Sequence, residues 1–207
     1  MHMQSIALDR RTGSRCLMLS ASKLDVASAN NDHHWKWISR EVEEGYWKMT
    51  LIPGSRFPKV AELLSGVNLE INGEVDTAEL SRQTMYAFFF VFELSYPFGF
   101  LGRIQEASIT LGFHTTQHTV CLSPEREQQS FWRQNLVKTP QSRSDGWKEV
   151  EMGEFYVKEG GGGGDGGRSA VHMSLNGFGK NLKGGLIVHG IEVRPKTRIR
   201  VPCKAMK

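Results

Sequence analysis

The chain has 207 residues, 39% of them apolar and 23% charged, the composition of an ordinary globular domain long enough to bury a core without staples. No run approaches the roughly 20 apolar residues of a membrane-spanning helix, and Met1-His2-Met3-Gln4 lacks the basic and apolar regions of a secretory signal, so the expected setting is the cytoplasm or nucleus, with no membrane partner. Residues 193–207 hold six cations and no acid, so the net charge of +4 becomes −2 for the rest, which argues against a nucleic-acid-binding domain and leaves residues 197–207 as a basic, solvated tail.

In chain order, residues 1–14 read as a linker-like segment ahead of a domain spanning 15–196. Cys16–Ala21 is a compact apolar run, and Asn30–His34 is a polar run leading into Trp35-Lys36-Trp37. Glu41–Pro53 is charged and ends in Pro-Gly, as an inserted loop would. Val60, Leu63 and Leu64 follow helical spacing after Pro58, which predicts a helix of about two turns. Val67, Leu69 and Ile71 then alternate with polar residues, predicting a half-buried strand, and Asn72-Gly73 reads as a turn or bulge. Tyr86–Leu94 is almost wholly apolar and reads as a central strand covered on both faces.

Alternation returns at Ile109, Leu111 and Phe113, and Thr119–Leu122 continues as a strand. Ser123–Ser144 is a polar loop with one aromatic pair, Phe131-Trp132. Val150 and Met152 alternate with Glu149 and Glu151, and Val171, Met173 and Leu175 with His172 and Ser174. Between them lies the glycine run 160–167, expected to be a flexible hairpin loop. Gly185–Val193 closes the series. About eight short strands and one short helix predict an all-β fold, a jelly-roll-like β-sandwich.

Most candidate sites fail on spacing. Cys16, Cys121 and Cys203 are odd in number and far apart, which suits buried thiols better than disulfides or a metal site. The glycine run is followed by Arg168-Ser169 opening a strand, not by the Lys-Ser/Thr and helix of a phosphate loop. His114 and His118 on a strand stand about 13 Å apart, too far to share one ion. Glu149 and Glu151, about 6.6 Å apart on one strand face, have a glycosidase-like separation. Their alternation with apolar residues puts them on the wet face, where neither would hold a proton. No enzyme and no cofactor is expected.

The aromatic segments carry more. Trp35 and Trp37 point the same way from a strand, and indole faces stack on sugar rings while Asn, Asp and backbone groups take the hydroxyls. Core packing is the competing reading of the same pair. Arg143-Ser144-Asp145-Gly146-Trp147 is a second polar-aromatic turn.

Read together, Cys16–Ala21, Trp35-Lys36-Trp37, Ser55-Arg56-Phe57 with Val60-Ala61-Glu62-Leu63, Leu69–Gly73, Arg143–Trp147, Gly153-Glu154-Phe155, Met173-Ser174-Leu175 and Lys183–Pro195 resemble the phloem protein 2 family of plants. The order and spacing hold from about Ile6 to Lys196. The resemblance implies a β-sandwich lectin domain of the cytoplasm and nucleus that binds N-acetylglucosamine oligomers or the N-glycan cores of glycoproteins. It implies Trp35, Trp37, Asp145 and Trp147 as candidate carbohydrate-binding residues, Trp35 foremost. Many members carry an N-terminal F-box that docks a Skp–cullin ubiquitin ligase, and Ile6–Gly13 looks like the stretch that follows one, so the chain is expected to be a short member or a truncated one. The alternative is a glycan-independent protein-interaction domain serving as a substrate receptor; either version leaves room for a homodimer. Two positions depart from the family: Ser28 and Asn68 stand where tryptophan is usual, and the first loss removes a stacking platform worth about 1 to 2 kcal/mol.

Overall fold

The structure, a computed structural model, describes residues 3–39, 55–125, 132, 134, 136–158 and 169–196. Two antiparallel sheets stack around one apolar core. The larger sheet runs, with strands numbered in chain order, β1 (Gln4–Leu8), β2 (Arg15–Ser20), β13 (Gly184–Pro195), β7 (Thr84–Phe98), β11 (Lys148–Val157) and β10 (Gln141–Ser142). β5 (Lys59–Leu63) shares one side of β13 with β2, and β4 (Trp35–Ser39) lies outside β5. The smaller sheet runs β3 (Asp25–Val26), β6 (Leu69–Asp76), β12 (Ala170–Gly177), β8 (Gln105–Leu111) and β9 (His114–Val120). The chain is an all-β sandwich.

The alternations predicted this layering. Phe88, Phe90 and Phe92 of β7 point inward against Ile71, Ile109 and Leu175 of the other sheet, while Val91 points outward and is buried there as well. That outer face carries a second small apolar cluster of Met18, Phe57, Val60, Val91 and Trp147, so β7 is covered on both sides.

Two bulges keep the faces sorted. Pairing of β13 with β7 shifts at Val188/Gly190, so Leu186, Val188, Ile191 and Val193 all face the core while His189, Glu192 and Arg194 face out. Only glycine fits at 190, because a Cβ there would stand 1.9 Å from the Leu19 carbonyl oxygen. A second shift at Glu151/Gly153 brings Glu154 onto the same outward face as Glu149 and Glu151.

Four expectations are corrected. The helix at Val60–Leu64 is instead β5, paired with β13 through Leu186↔Leu63 and Val188↔Ala61. A segment this short cannot hold a helix by itself, and the half of β13 that β2 leaves open offers it a ladder of backbone partners. Asn72-Gly73 lies inside β6 and is no turn, since both residues pair with β12. Gly73 makes room for packing, because a Cβ there would meet Leu24 Cδ2 at 2.9 Å and push that side chain aside. The strands on either side of the glycine run belong to different sheets, so they do not form a hairpin. Finally, the linker-like first residues supply β1, paired with β2 along its length. The loop 41–53, the glycine run, Phe131, Cys203 and the tail 197–207 lie outside the described residues. Cys121 is buried and Cys16 half-buried, and burial pushes both thiols up.

Candidate ligand-binding end

Four connections meet at one end of the sandwich: residues 27–34, 64–68, 99–104 and 178–183. The register requires it. Trp35 pairs with Leu63, Leu63 with Leu186, and Gly184 with Phe98 in one sheet, while Leu69 pairs with Gly177 in the other. Short links between those ends cannot reach the opposite pole. Gly66 and Lys183 exchange backbone hydrogen bonds across two of the loops. The buried Lys183 ammonium donates to the carbonyls of Val67 (2.5 Å) and Asn181 (3.3 Å), stapling the same pair. Burial, with Arg103 nearby, lowers its pKa.

One half of this end is polar. The N–H groups of His34 and Trp35 donate to the Asn31 carbonyl, and the His34 carbonyl accepts from Leu64. Trp35 is only 3% exposed. Its ring sits in the core and Nε1–H donates to the Ala27 carbonyl at 3.1 Å, so it anchors the 27–34 loop instead of offering a face to solvent. Trp37, two residues along the same face, is 38% exposed because β4 is the outermost strand there. Ser28 is exposed at φ +63, and Asn68 is exposed as well. Both positions at which the resemblance expects tryptophan therefore lie at this end.

Asp145 and Trp147 lie elsewhere. The tight turn expected at 143–147 forms, with the Arg143 N–H donating to the Trp147 carbonyl and Gly146 at φ +90. It packs on the outer face of the larger sheet, opposite to the side that Trp35 and Trp37 face. Trp147 is buried there and stacks on His189 with ring centroids 4.3 Å apart. The four candidate residues therefore divide between two sides of one sheet.

The same outer face carries an ion-pair network that periodicity alone did not single out. The Arg143 guanidinium donates to Asp145, to Glu149 at 2.5 Å and to Glu192 at 2.6 Å. Glu192 also meets Arg56, and Glu149 meets Arg194, whose guanidinium lies 3.8 Å over the Phe89 ring. Burial opposes the charge on Arg143, but three carboxylates outweigh it and raise its pKa. Burial alone would raise Asp145; the Arg143 hydrogen bonds outweigh that and hold its carboxyl low. Glu151 pairs with Lys138 and Lys196. Glu149 and Glu151 thus face outward as expected but are ion-paired, not freely solvated, and Arg194 and Lys196, at the end of the domain, belong to this network. A hollow of about 490 Å³ opens here between Phe89, Lys138, Gln141, Glu149, Glu151 and Arg194, yet each of its charged side chains is already paired within the protein.

The other half of the loop end is apolar, and the sequence reading missed it. Tyr96, Phe98, Leu101, Ile104, Phe178 and Leu182 are all exposed. The available signal was an aromatic run punctuated by Pro97, Gly99 and Gly102, which marks loops and not core strand.

The sequence profile described as Phloem protein 2 matches residues 14–195. The chain belongs to the phloem protein 2 family. Among its relatives is the F-box protein PP2-B10 of Arabidopsis thaliana, 36% identical over 198 residues, which cover 93% of this chain and 64% of the relative. The F-box protein PP2-B7 of the same plant is 34% identical over 194 residues, 91% of this chain and 57% of that one. The chain thus spans less than two thirds of these relatives' length. Likeness to solved structures is slight: the crystal structure of the Podospora anserina GH26-CBM35 β-(1,4)-mannanase gives a TM-score of 0.42 at 8% identity, over 88% of this chain and 28% of that one. The phloem protein 2 fold accordingly spans both sheets of the sandwich, from β2 to β13.

Proposed function

We propose that this phloem protein 2 domain is a non-catalytic carbohydrate-binding module for N-acetylglucosamine oligomers or N-glycan cores, reading the sugar at the polar half of the loop end. The observation that supports it is Trp37, a solvent-facing indole on the edge strand, two residues from the buried Trp35 that anchors the loop Asn30–His34. The ring offers a stacking face, and the loop offers amide, carboxylate and imidazole groups to the hydroxyls. Asp145 and Trp147 serve the fold of the outer face in this reading.

The test is a titration of tryptophan fluorescence with chito-oligosaccharides, beside a glycan array. Trp37→Ala should weaken binding about tenfold, the equivalent of one lost stacking contact. Trp35→Phe keeps a ring in the core but loses the bond to Ala27; it should cost about 1 kcal/mol of stability and weaken the sugar only through the loop. A wild-type chain that binds nothing on the array removes the proposal. The second reading, a glycan-independent substrate receptor of a Skp–cullin ubiquitin ligase, is favoured by relatives that are F-box proteins. It predicts capture of a protein partner that survives deglycosylation of that partner.

A further inference from the structure

We propose that the apolar half of the loop end docks onto an anionic phospholipid surface, with Tyr96, Phe98, Leu101, Ile104, Phe178 and Leu182 entering the headgroup region and Arg103 and Lys180 meeting lipid phosphates and carboxylates. This goes beyond the carbohydrate reading and does not require it. Clustered apolar exposure of this kind marks an interaction surface. Its shape and charge choose the partner.

Leu101, Ile104, Phe178 and Leu182 stand off loops, and Tyr96 and Phe98 off the last residues of β7: Tyr96 is 95% exposed, Phe178 71% and Leu101 62%. Projecting tips suit a soft interface into which each can sink. Half of the six are aliphatic and offer no ring face to a sugar. The aromatic ones are of the class enriched where hydrocarbon meets headgroup. Tyr96 is also held at φ +50, a region that bulky residues avoid, so the backbone is strained to present an outward ring. Backbones pack closely beside it, since a Cβ at Gly185 would stand 2.8 Å from the Tyr96 carbonyl oxygen and one at Gly99 2.0 Å from that of Leu182.

Charge points the same way. Residues 64–68, 95–104 and 178–183 contain no acid. Glu125 packs beside Gly102, and Asp32 lies in the neighbouring polar loop. Arg103 and Lys180 are exposed and have no ion pair among the described residues, whereas the cations of the outer-face network are paired. Unpaired cations beside apolar tips complement an anionic leaflet, where each near-surface cation adds to the attraction. No helix among the described residues is long and apolar enough to cross a membrane. The expectation of no membrane partner rested on the lack of a spanning segment, and loop-tip docking needs none.

The experiment is co-sedimentation of the full chain with vesicles of phosphatidylcholine alone and of an equimolar phosphatidylcholine–phosphatidylserine mixture. The chain should partition onto the mixed vesicles, less so at high salt. Tyr96→Ser with Phe178→Ser should lower partition at least tenfold, and Arg103→Gln with Lys180→Gln should remove the preference for anionic vesicles, about tenfold. All four side chains are exposed, so circular dichroism and chito-oligosaccharide titration should be unchanged. Failure to bind mixed vesicles overturns the proposal. So does loss of sugar binding in the serine variant without vesicle binding in the wild type, which makes the rim a sugar platform. Concentration-dependent self-association removed by the same variant, with vesicles untouched, overturns it in favour of a second copy. Vesicle binding without any glycan binding leaves this proposal standing and removes the carbohydrate one.

Discussion

Arg143→Met should lower stability at neutral pH by about 3 kcal/mol, seen as a lower urea midpoint with an unchanged slope. The guanidinium is the shared cation of Asp145, Glu149 and Glu192, and these side chains are between 6% and 26% exposed. Removing it leaves three crowded carboxylates on the outer face. Glu149 keeps Arg194, and Glu192 keeps Arg56 and Arg194, which holds the loss below that of a lone buried charge. The penalty should shrink at low pH as Asp145, whose carboxyl the Arg143 hydrogen bonds hold low in the wild type, takes up a proton. Arg143→Lys keeps the charge but not the fork that reaches three carboxylates at once, and should fall between the two. A loss under about 0.5 kcal/mol for Arg143→Met would mean the network is a surface ornament of the kind exposed ion pairs form.

Stability should also fall as pH drops from about 6.5 to about 4, by on the order of 3 kcal/mol, through His189 alone. Its ring is buried between Trp147 and Phe57. Nε2 accepts from the Arg56 N–H at 3.2 Å, which leaves the proton on Nδ1. Burial drives the pKa down to about 4 against the opposing pull of Asp145. The folded state therefore resists a proton that the unfolded chain accepts near 6.5. Folding is favoured above that value and loses ground through the window until both states are protonated. In His189→Phe, which keeps a stacked ring, the difference from wild type should narrow steadily over this range. Parallel curves for the two proteins would show that the imidazole does not titrate on unfolding.

Much of the fold was legible because alternation is a local property. Val171, Met173 and Leu175 are bound to share a face wherever their strand lies. The same holds for Glu149 and Glu151, and their outward direction followed from Val150 and Met152 alone. Val60–Leu64 misled because β5 is apolar on both faces, Val60 outward and Ala61 with Leu63 inward, which mimics helical spacing. The deciding fact, an open stretch along β13, belongs to a strand more than a hundred residues away. Asn72-Gly73 misled because glycine answers two needs, a left-handed backbone or a missing side chain, and only the position of Leu24 distinguishes them.

The candidate site was legible only in part. Trp35 and Trp37 are equivalent in the sequence: same residue, same strand, same face. One is core and the other surface because β4 is an edge strand whose first residues lie under the 27–34 loop and whose later ones do not. From the sequence by itself came the sandwich, its family, its inward residues and the outward direction of its acids, since those depend on neighbours along the chain. Only the tertiary structure decided which indole meets solvent, that Arg143 gathers three carboxylates, and that Tyr96 and Phe178 share one exposed end, since exposure and pairing depend on what the second layer and the loops cover.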